Sequence, residues 1–206
     1  MSKQLWKPGN MLYPLPAVLV SCGDKAGNYN VLTVAWTGTI CSDPAMVYVS
    51  VRKNRYSHYM LEETGEFYIN LTTEALAFAT DYCGVKSGKD LNKFEEMHLT
   101  PEMGMLSWAP MIKESPVCIA CEVVRIEELG SHDMFIANVK GVYADEAYMD
   151  EKGKFDLIKA KPIVYSHGQY YGLGRYIGKF GYSVQKNPAK VKKASGHKTK
   201  AKNKKA

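Results

Sequence analysis

The chain has 206 residues, 46% of them hydrophobic and 23% charged, which suits one well-packed soluble domain and excludes collagen-like, disulfide-scaffold and wholly disordered classes. The formal net charge of +6 is local. The segment Lys186–Ala206 holds nine lysines and no acid, so the body keeps 18 of the 27 cations against 21 acids. The body is therefore mildly acidic and has no basic, aromatic-interleaved run, so nucleic acid is not an expected partner outside the tail.

The N-terminal Met1-Ser-Lys-Gln-Leu-Trp-Lys-Pro8 lacks the apolar core of a signal peptide, and no apolar run reaches the roughly 20 residues that span a bilayer. The expectation is a cytoplasmic protein with no membrane partner. Val18–Cys22 reads as a strand, followed by a breaker-rich turn over 23–29 and a second strand over Val31–Trp36. Ala45–Val51 alternates β-branched and other residues as a third strand. Tyr56–Glu63 reads as a short helix, with Asn54 as its start and Gly65 just past its end. Glu66–Leu71 is a strand. Thr73 opens a helix to about Tyr82, with Glu74 in its first turn. Cys83–Phe94 is a polar loop entering a short helix, and residues 95–116 carry too many Met, Pro and Gly for an assignment.

Val117–Glu128 and Met134–Ala144 are long alternating strands joined through Leu129-Gly-Ser-His-Asp133, and Pro162–Gly172 gives a short strand and a glycine-marked loop. Residues 1–185 read as one domain, and 186–206 as a disordered lysine-rich tail that cannot bury enough apolar surface to order itself. That tail aids solubility or touches nucleic acid or acidic surfaces electrostatically. Hairpins without regular strand–helix alternation predict a mainly β fold, an antiparallel barrel with accessory helices.

Several chemistries lack their residues. There is no phosphate-binding glycine–lysine loop, no His-Glu-x-x-His and no nucleophile elbow, and the five histidines are scattered singly, so no metal is expected. Cys118-Ile-Ala-Cys121 has redox spacing but lies within an apolar strand, where its thiols point to opposite faces. Gly172-Leu-Gly-Arg-Tyr-Ile-Gly178 is one residue too long for a dinucleotide fingerprint and reads as a tight turn. What remains is Asn30-Val-Leu-Thr-Val-Ala-Trp-Thr-Gly38, a strand ending in small, hydroxylic and aromatic residues. After it comes Val47-Tyr-Val-Ser-Val-Arg-Lys-Asn-Arg-Tyr-Ser57, a strand running into cations and hydroxyls. Such surfaces suit a planar ring and a phosphate respectively, with Ser50, Arg52, Arg55 and Ser57 as anion ligands near a helix N-terminus. On residues alone, a core strand with a solvated cationic turn fits equally well.

These two runs, together with Ser42-Asp-Pro44, Asp81-Tyr-Cys-Gly-x-x-Ser-Gly-Lys-Asp90, Ser131-His-Asp-x-Phe135 and Tyr170-Tyr-x-Leu-Gly-x-x-Ile-Gly-x-Phe-Gly-Tyr-Ser183, resemble the flavin reductase-like, FMN-binding split-barrel family. The flavoredoxin branch is the nearer match, because Gly130-Ser-His132 stands where flavin reductases carry Gly-Asp-His. The resemblance implies an antiparallel Greek-key split barrel and an FMN-dependent oxidoreductase. It further implies NAD(P)H or a redox partner protein as donor, and a homodimer with FMN at its interface. The alternatives are an FMN-binding electron carrier without NAD(P)H activity and a non-enzymatic split-barrel binding protein. Carried over by position, Asn30, Thr33, Ala35, Trp36 and Thr37 would meet the flavin ring or ribityl chain. Ser50, Val51, Arg52 and Ser57 would serve the ribityl–phosphate end, and Lys89 the flavin or its phosphate. His132 would face the site as its catalytic residue, with Tyr165 a further neighbour.

Overall fold

The computed structural model of the chain describes residues 1–184. Its elements are β1 (Leu15–Pro16), β2 (Val18–Gly23), β3 (Tyr29–Val34), β4 (Thr37–Ser42), β5 (Ala45–Arg52), α1 (Ser57–Thr64), β6 (Glu66–Leu71), α2 (Ala77–Val85), α3 (Lys93–Glu96), β7 (Pro101–Met103), β8 (Pro110–Ile112), β9 (Val117–Glu128), β10 (His132–Ala144), β11 (Ile163–Ser166) and β12 (Gln169–Gly172). Seven strands form one antiparallel sheet in the order β3-β2-β6-β9-β10-β5-β4, and β1, β11 and β12 make a small second sheet. This is the antiparallel split barrel expected.

Alternation along β2 explains how the sheet is covered on both sides. Val18, Val20 and Cys22 point into the barrel core with Leu32, Val49, Phe67 and Phe135. Leu19 points the other way, onto Val31, Ala79, Cys83 and Phe94 under α2 and α3. The Cys118 and Cys121 side chains likewise enter different clusters from β9. Burial pushes their thiols up to about 11 and about 12, so neither is a ready thiolate.

Three of the boundaries that differ from expectation bear on the site. The second strand stops at Val34, because Ala35 and Trp36 leave the ladder. The Ser50 N–H donates to the Trp36 carbonyl at 2.8 Å, and the chain returns as β4 beside β5. The first helix spans Ser57–Thr64, one residue on from the expected Tyr56–Glu63, with Tyr56 and not Asn54 before its first turn, and Gly65 (φ 67°) ends it as a left-handed cap whose N–H donates to the Leu61 carbonyl. The last long strand begins at His132, so His132 and Asp133 stand in register with Arg52 and Val51 instead of lying in a loop.

One compact unit runs over Met1–Leu173, and the described residues from Gly174 to Val184 fall in a second. Within that unit, the described part ends in a short 3-10 turn over Tyr182–Val184. The lysine-rich tail lies outside the described residues. No helix among the described residues is long and apolar enough to cross a membrane.

Candidate functional site: a cationic cleft at the end of β5

The ends of β3 and β5, the turn into α1 and the loop after α2 enclose a two-lobed cleft. The larger lobe, about 450 Å³, is walled by Leu32, Ala35, Trp36, Ser50, Val51 and His132, with Tyr165 and Tyr170 at its side. The smaller, about 310 Å³, is lined by Asn30, Arg55, Ser57, Lys86, Ser87 and Lys93. Leu32, Thr33, Arg52, Arg55 and Gly84 belong to both lobes.

The β5–β10 register sets the larger lobe. Pairing of His132 with Arg52 brings their side chains to one face, and the imidazole lies parallel to the Trp36 indole (5° between planes, centroids 6.4 Å apart). Burial, then repulsion from Arg52 and Arg55, lowers the His132 pKa and favours the neutral ring at neutral pH. The Ser131 hydroxyl lies 2.9 Å from its Nδ1, which leaves Nε2 as the free ring nitrogen.

The smaller lobe is an anion cradle. Asn30 Nδ2 donates to Ser57 Oγ at 2.7 Å, so that hydroxyl keeps its own proton for an incoming acceptor. Lys93, only 4% exposed, donates from Nζ to the carbonyls of Val31 and Cys83, both at 2.9 Å, and retains a third N–H. Burial, with repulsion from Arg55, lowers its pKa to about 8. Among the described residues, Arg52, Arg55, Lys86 and Lys93 form no ion pair, and neither lobe is lined by an Asp or Glu. Four cations left without carboxylates in one cleft point to an anionic ligand.

Of the residues singled out in the sequence, Asn30, Thr33, Ala35, Trp36, Ser50, Val51, Arg52, Ser57, His132 and Tyr165 line this cleft. Two stand apart. Thr37 turns inward, where its hydroxyl donates to the Tyr48 carbonyl at 2.5 Å. Lys89 is exposed and lines a neighbouring recess, because the loop after α2 brings Lys86 and Lys93 to the cleft instead. Sequence reasoning missed Lys93, Lys86, Gly84 and Tyr170. The one cue to Lys93 was Asn92-Lys-Phe94, a capped turn whose Phe94 is buried: Asn92 Oδ1 accepts from the Phe94 N–H at 3.1 Å.

Glycine at 88 is a condition of the cradle. A Cβ there would lie 2.2 Å from Asn30 Oδ1. Gly88→Ala is therefore expected to displace the Asn30 amide from Ser57 and to weaken anion binding by about tenfold, the worth of roughly one hydrogen bond, as titration calorimetry with a phosphate ligand would report. Unchanged affinity would separate Asn30 from the cradle.

The chain is thus an antiparallel split-barrel protein whose aromatic lobe joins a cationic lobe without carboxylates. The chain matches the model of the flavin reductase like domain over residues 11–174, and it belongs to that family. Among solved structures it is similar to the flavoredoxin of Desulfovibrio vulgaris (Miyazaki F), at 30% identity and TM-score 0.82 over 90% of this chain and 100% of that one. It is also similar to the flavoredoxin of Methanosarcina acetivorans, at 29% identity and TM-score 0.81 over 89% and 100%. An uncharacterized protein of Archaeoglobus fulgidus is 31% identical over 141 residues, covering 68% of this chain and 78% of the relative.

Proposed function

We propose that this protein is an FMN-dependent oxidoreductase of the flavoredoxin and flavin reductase type, passing electrons from NAD(P)H or a protein donor to an acceptor. The observation that carries the reading is the cleft itself: an aromatic-walled lobe opens directly onto four unpaired cations. The donor set fits FMN from end to end. Trp36, Leu32 and Ala35 would give the isoalloxazine an apolar wall, Ser50 would serve the polyol, and Arg52, Arg55, Lys93 and Ser57 would hold the phosphate. The Thr33 hydroxyl already donates to the Thr80 carbonyl, so it fixes α2 against the cleft rather than a ligand.

Bound FMN supplies hydride and single-electron chemistry at its ring. Trp36 and Tyr165, both on the lining of the larger lobe, would shield a bound ring from water. Arg52, shared by both lobes, places positive charge beside the ring as well as the phosphate, and a cation there favours a more electron-rich ligand. The neutral His132 holds Nε2 free at the lobe, the atom at which it exchanges a proton.

A homodimer with FMN at its interface completes the proposal. Ile126 and Val142, exposed on β9 and β10 and paired in register with Phe135 and Ile119, are apolar positions on one face that a second copy would cover.

The test is spectroscopic. The purified protein should take up FMN with quenching of its fluorescence, and anaerobic NADH or NADPH should bleach the flavin absorbance. Bleaching by neither nucleotide would reduce the protein to a carrier fed by a protein donor. Failure to take up FMN would sink the proposal.

A further inference from the structure

A separate recess of about 470 Å³ lies outside the flavin cleft, lined by Lys53, His58, Glu62, Ile126, Glu128 and Asp133. None of these residues lines either lobe of the cleft. Three carboxylates face one lysine and one imidazole here, the reverse of the charge in the anion lobe. We propose that the recess is a divalent-metal site, with zinc as the suited ion, held by His58, Asp133 and Glu128. The proposal stands apart from the flavin reading.

The donors and acceptors around His58 do not balance without a cation. His58 Nε2 lies 2.8 Å from Asp133 Oδ2, and Nδ1 lies 3.2 Å from Glu62 Oε2. A neutral imidazole has one N–H, so it can donate to only one of two carboxylates. Zinc on Nε2 resolves the conflict: Nδ1–H donates to Glu62, and Glu62 fixes the ring as a carboxylate behind a metal-bound histidine does. Two ligands about 2.0–2.2 Å from one zinc lie roughly 3 Å apart when adjacent, close to the observed Nε2–Oδ2 separation. Ligand atoms of His58, Glu62 and Asp133 all fall within 4.8 Å of one another. A second observation is independent of the imidazole. Asp133 is 2% exposed, yet its Oδ1 has no hydrogen bond, and the residue lines the recess. A buried carboxylate oxygen without a donor is costly, and a cation in the recess supplies its partner.

Lys53 marks the same point with its own charge. Its Nζ lies 2.7 Å from Glu128 Oε2 and 3.4 Å from Asp133 Oδ1. The β9–β10 register sets Glu128 directly opposite Asp133, so both carboxylates converge on one position. Lys53 is half-exposed, and its flexible stem lets the ammonium swing into solvent when a doubly charged ion arrives. Glu128, released from Lys53 and itself exposed, then turns to the metal. One imidazole nitrogen among carboxylates favours zinc over magnesium or calcium, which prefer oxygen alone. The bound ion would clamp α1 to β10, next in sequence to Ser57 of one lobe and His132 of the other.

Calorimetric titration of the full chain with zinc chloride tests this, beside Lys53→Met and Glu128→Gln, two changes at half-exposed or exposed positions that leave the buried pair intact. The natural protein should bind one zinc per chain, and its thermal midpoint should rise by about 5–10 °C at a hundredfold excess over Kd. Glu128→Gln should bind at least about tenfold more weakly, through loss of a ligand. Lys53→Met should bind roughly two- to fivefold more tightly, because the ion no longer has to displace an exposed ion pair. No zinc binding would overturn the proposal and leave a second imidazole proton as what joins the two carboxylates. Equal affinity in all three proteins would overturn it too, by placing the zinc elsewhere on the chain.

Discussion

Replacing Lys93 by methionine should weaken FMN binding by about a hundredfold and leave riboflavin binding nearly unchanged, because the lost interaction is a charge-assisted contact to phosphate worth roughly 2–3 kcal/mol. The geometry argues for an effect at the large end. Two of the three Nζ donors are fixed on the Val31 and Cys83 carbonyls, so the ammonium is held in place before any ligand arrives. Nearby cations do not substitute for it, since Arg55 repels Lys93 and helps to lower its pKa to about 8. The same value fixes the pH dependence. Burial lowers the folded pKa below that of an exposed lysine, so the unfolded chain binds more protons between about pH 8 and 10.4, and the ligand-free fold gains stability as pH rises through that window. Phosphate binding runs the other way. The dianion favours the ammonium, so above about pH 8 binding must take up a proton, and affinity should fall by up to about tenfold per pH unit. Calorimetry between pH 7 and 10 would show this decline in the natural protein and its loss in Lys93→Met. A natural profile flat across pH 8, or equal losses for FMN and riboflavin, would remove Lys93 from the phosphate site.

The legibility of the molecule divides along physical lines. Strands with strong alternation, such as Ala45–Arg52 and Val117–Glu128, and a helix ended by Gly65 could be read because local pattern and tertiary burial agree. β4 could not: Gly38 to Ile40 and Ser42 leave it with a mostly half-exposed or exposed face and no hydrophobic period to detect. The cleft residues on β3, the β5 end and α1 were legible through their order along the chain. The choice between Lys86, Lys89 and Lys93 was not, because three lysines in one polar loop are equivalent until α2 and α3 pack. Packing buries Lys93 among backbone carbonyls and sends Lys89 outward, which sequence spacing does not encode.

Directly behind the cleft lies a pair that the sequence reading passed over. His58 follows Ser57 of the anion lobe, and Asp133 follows His132 of the aromatic lobe. Their side chains meet at 2.8 Å between His58 Nε2 and Asp133 Oδ2, both nearly inaccessible to solvent. Glu62 Oε2 lies 3.2 Å from the other imidazole nitrogen, the Phe135 ring packs edge-on against the imidazole, and Lys53 stands 3.4 Å from Asp133 Oδ1, which has no hydrogen bond of its own. The pair thus ties α1 to β10 across the barrel wall. Asp133→Ala would leave a buried imidazole nitrogen without its partner beside a small void, which together cost about 2–4 kcal/mol. For a chain of this size, that corresponds to a fall of about 10 °C in the thermal midpoint. Asp133→Asn keeps the volume and one hydrogen bond and should lose less than half as much. A partner change settles whether the cost belongs to the pair: His58→Ala with Asp133→Ala should cost less than the sum of the two single changes, because neither group is left unpaired. Urea denaturation of the four proteins gives the cycle. Strict additivity, or a loss under about 1 kcal/mol for Asp133→Ala, would mean that the two lobes are held together by the sheet alone.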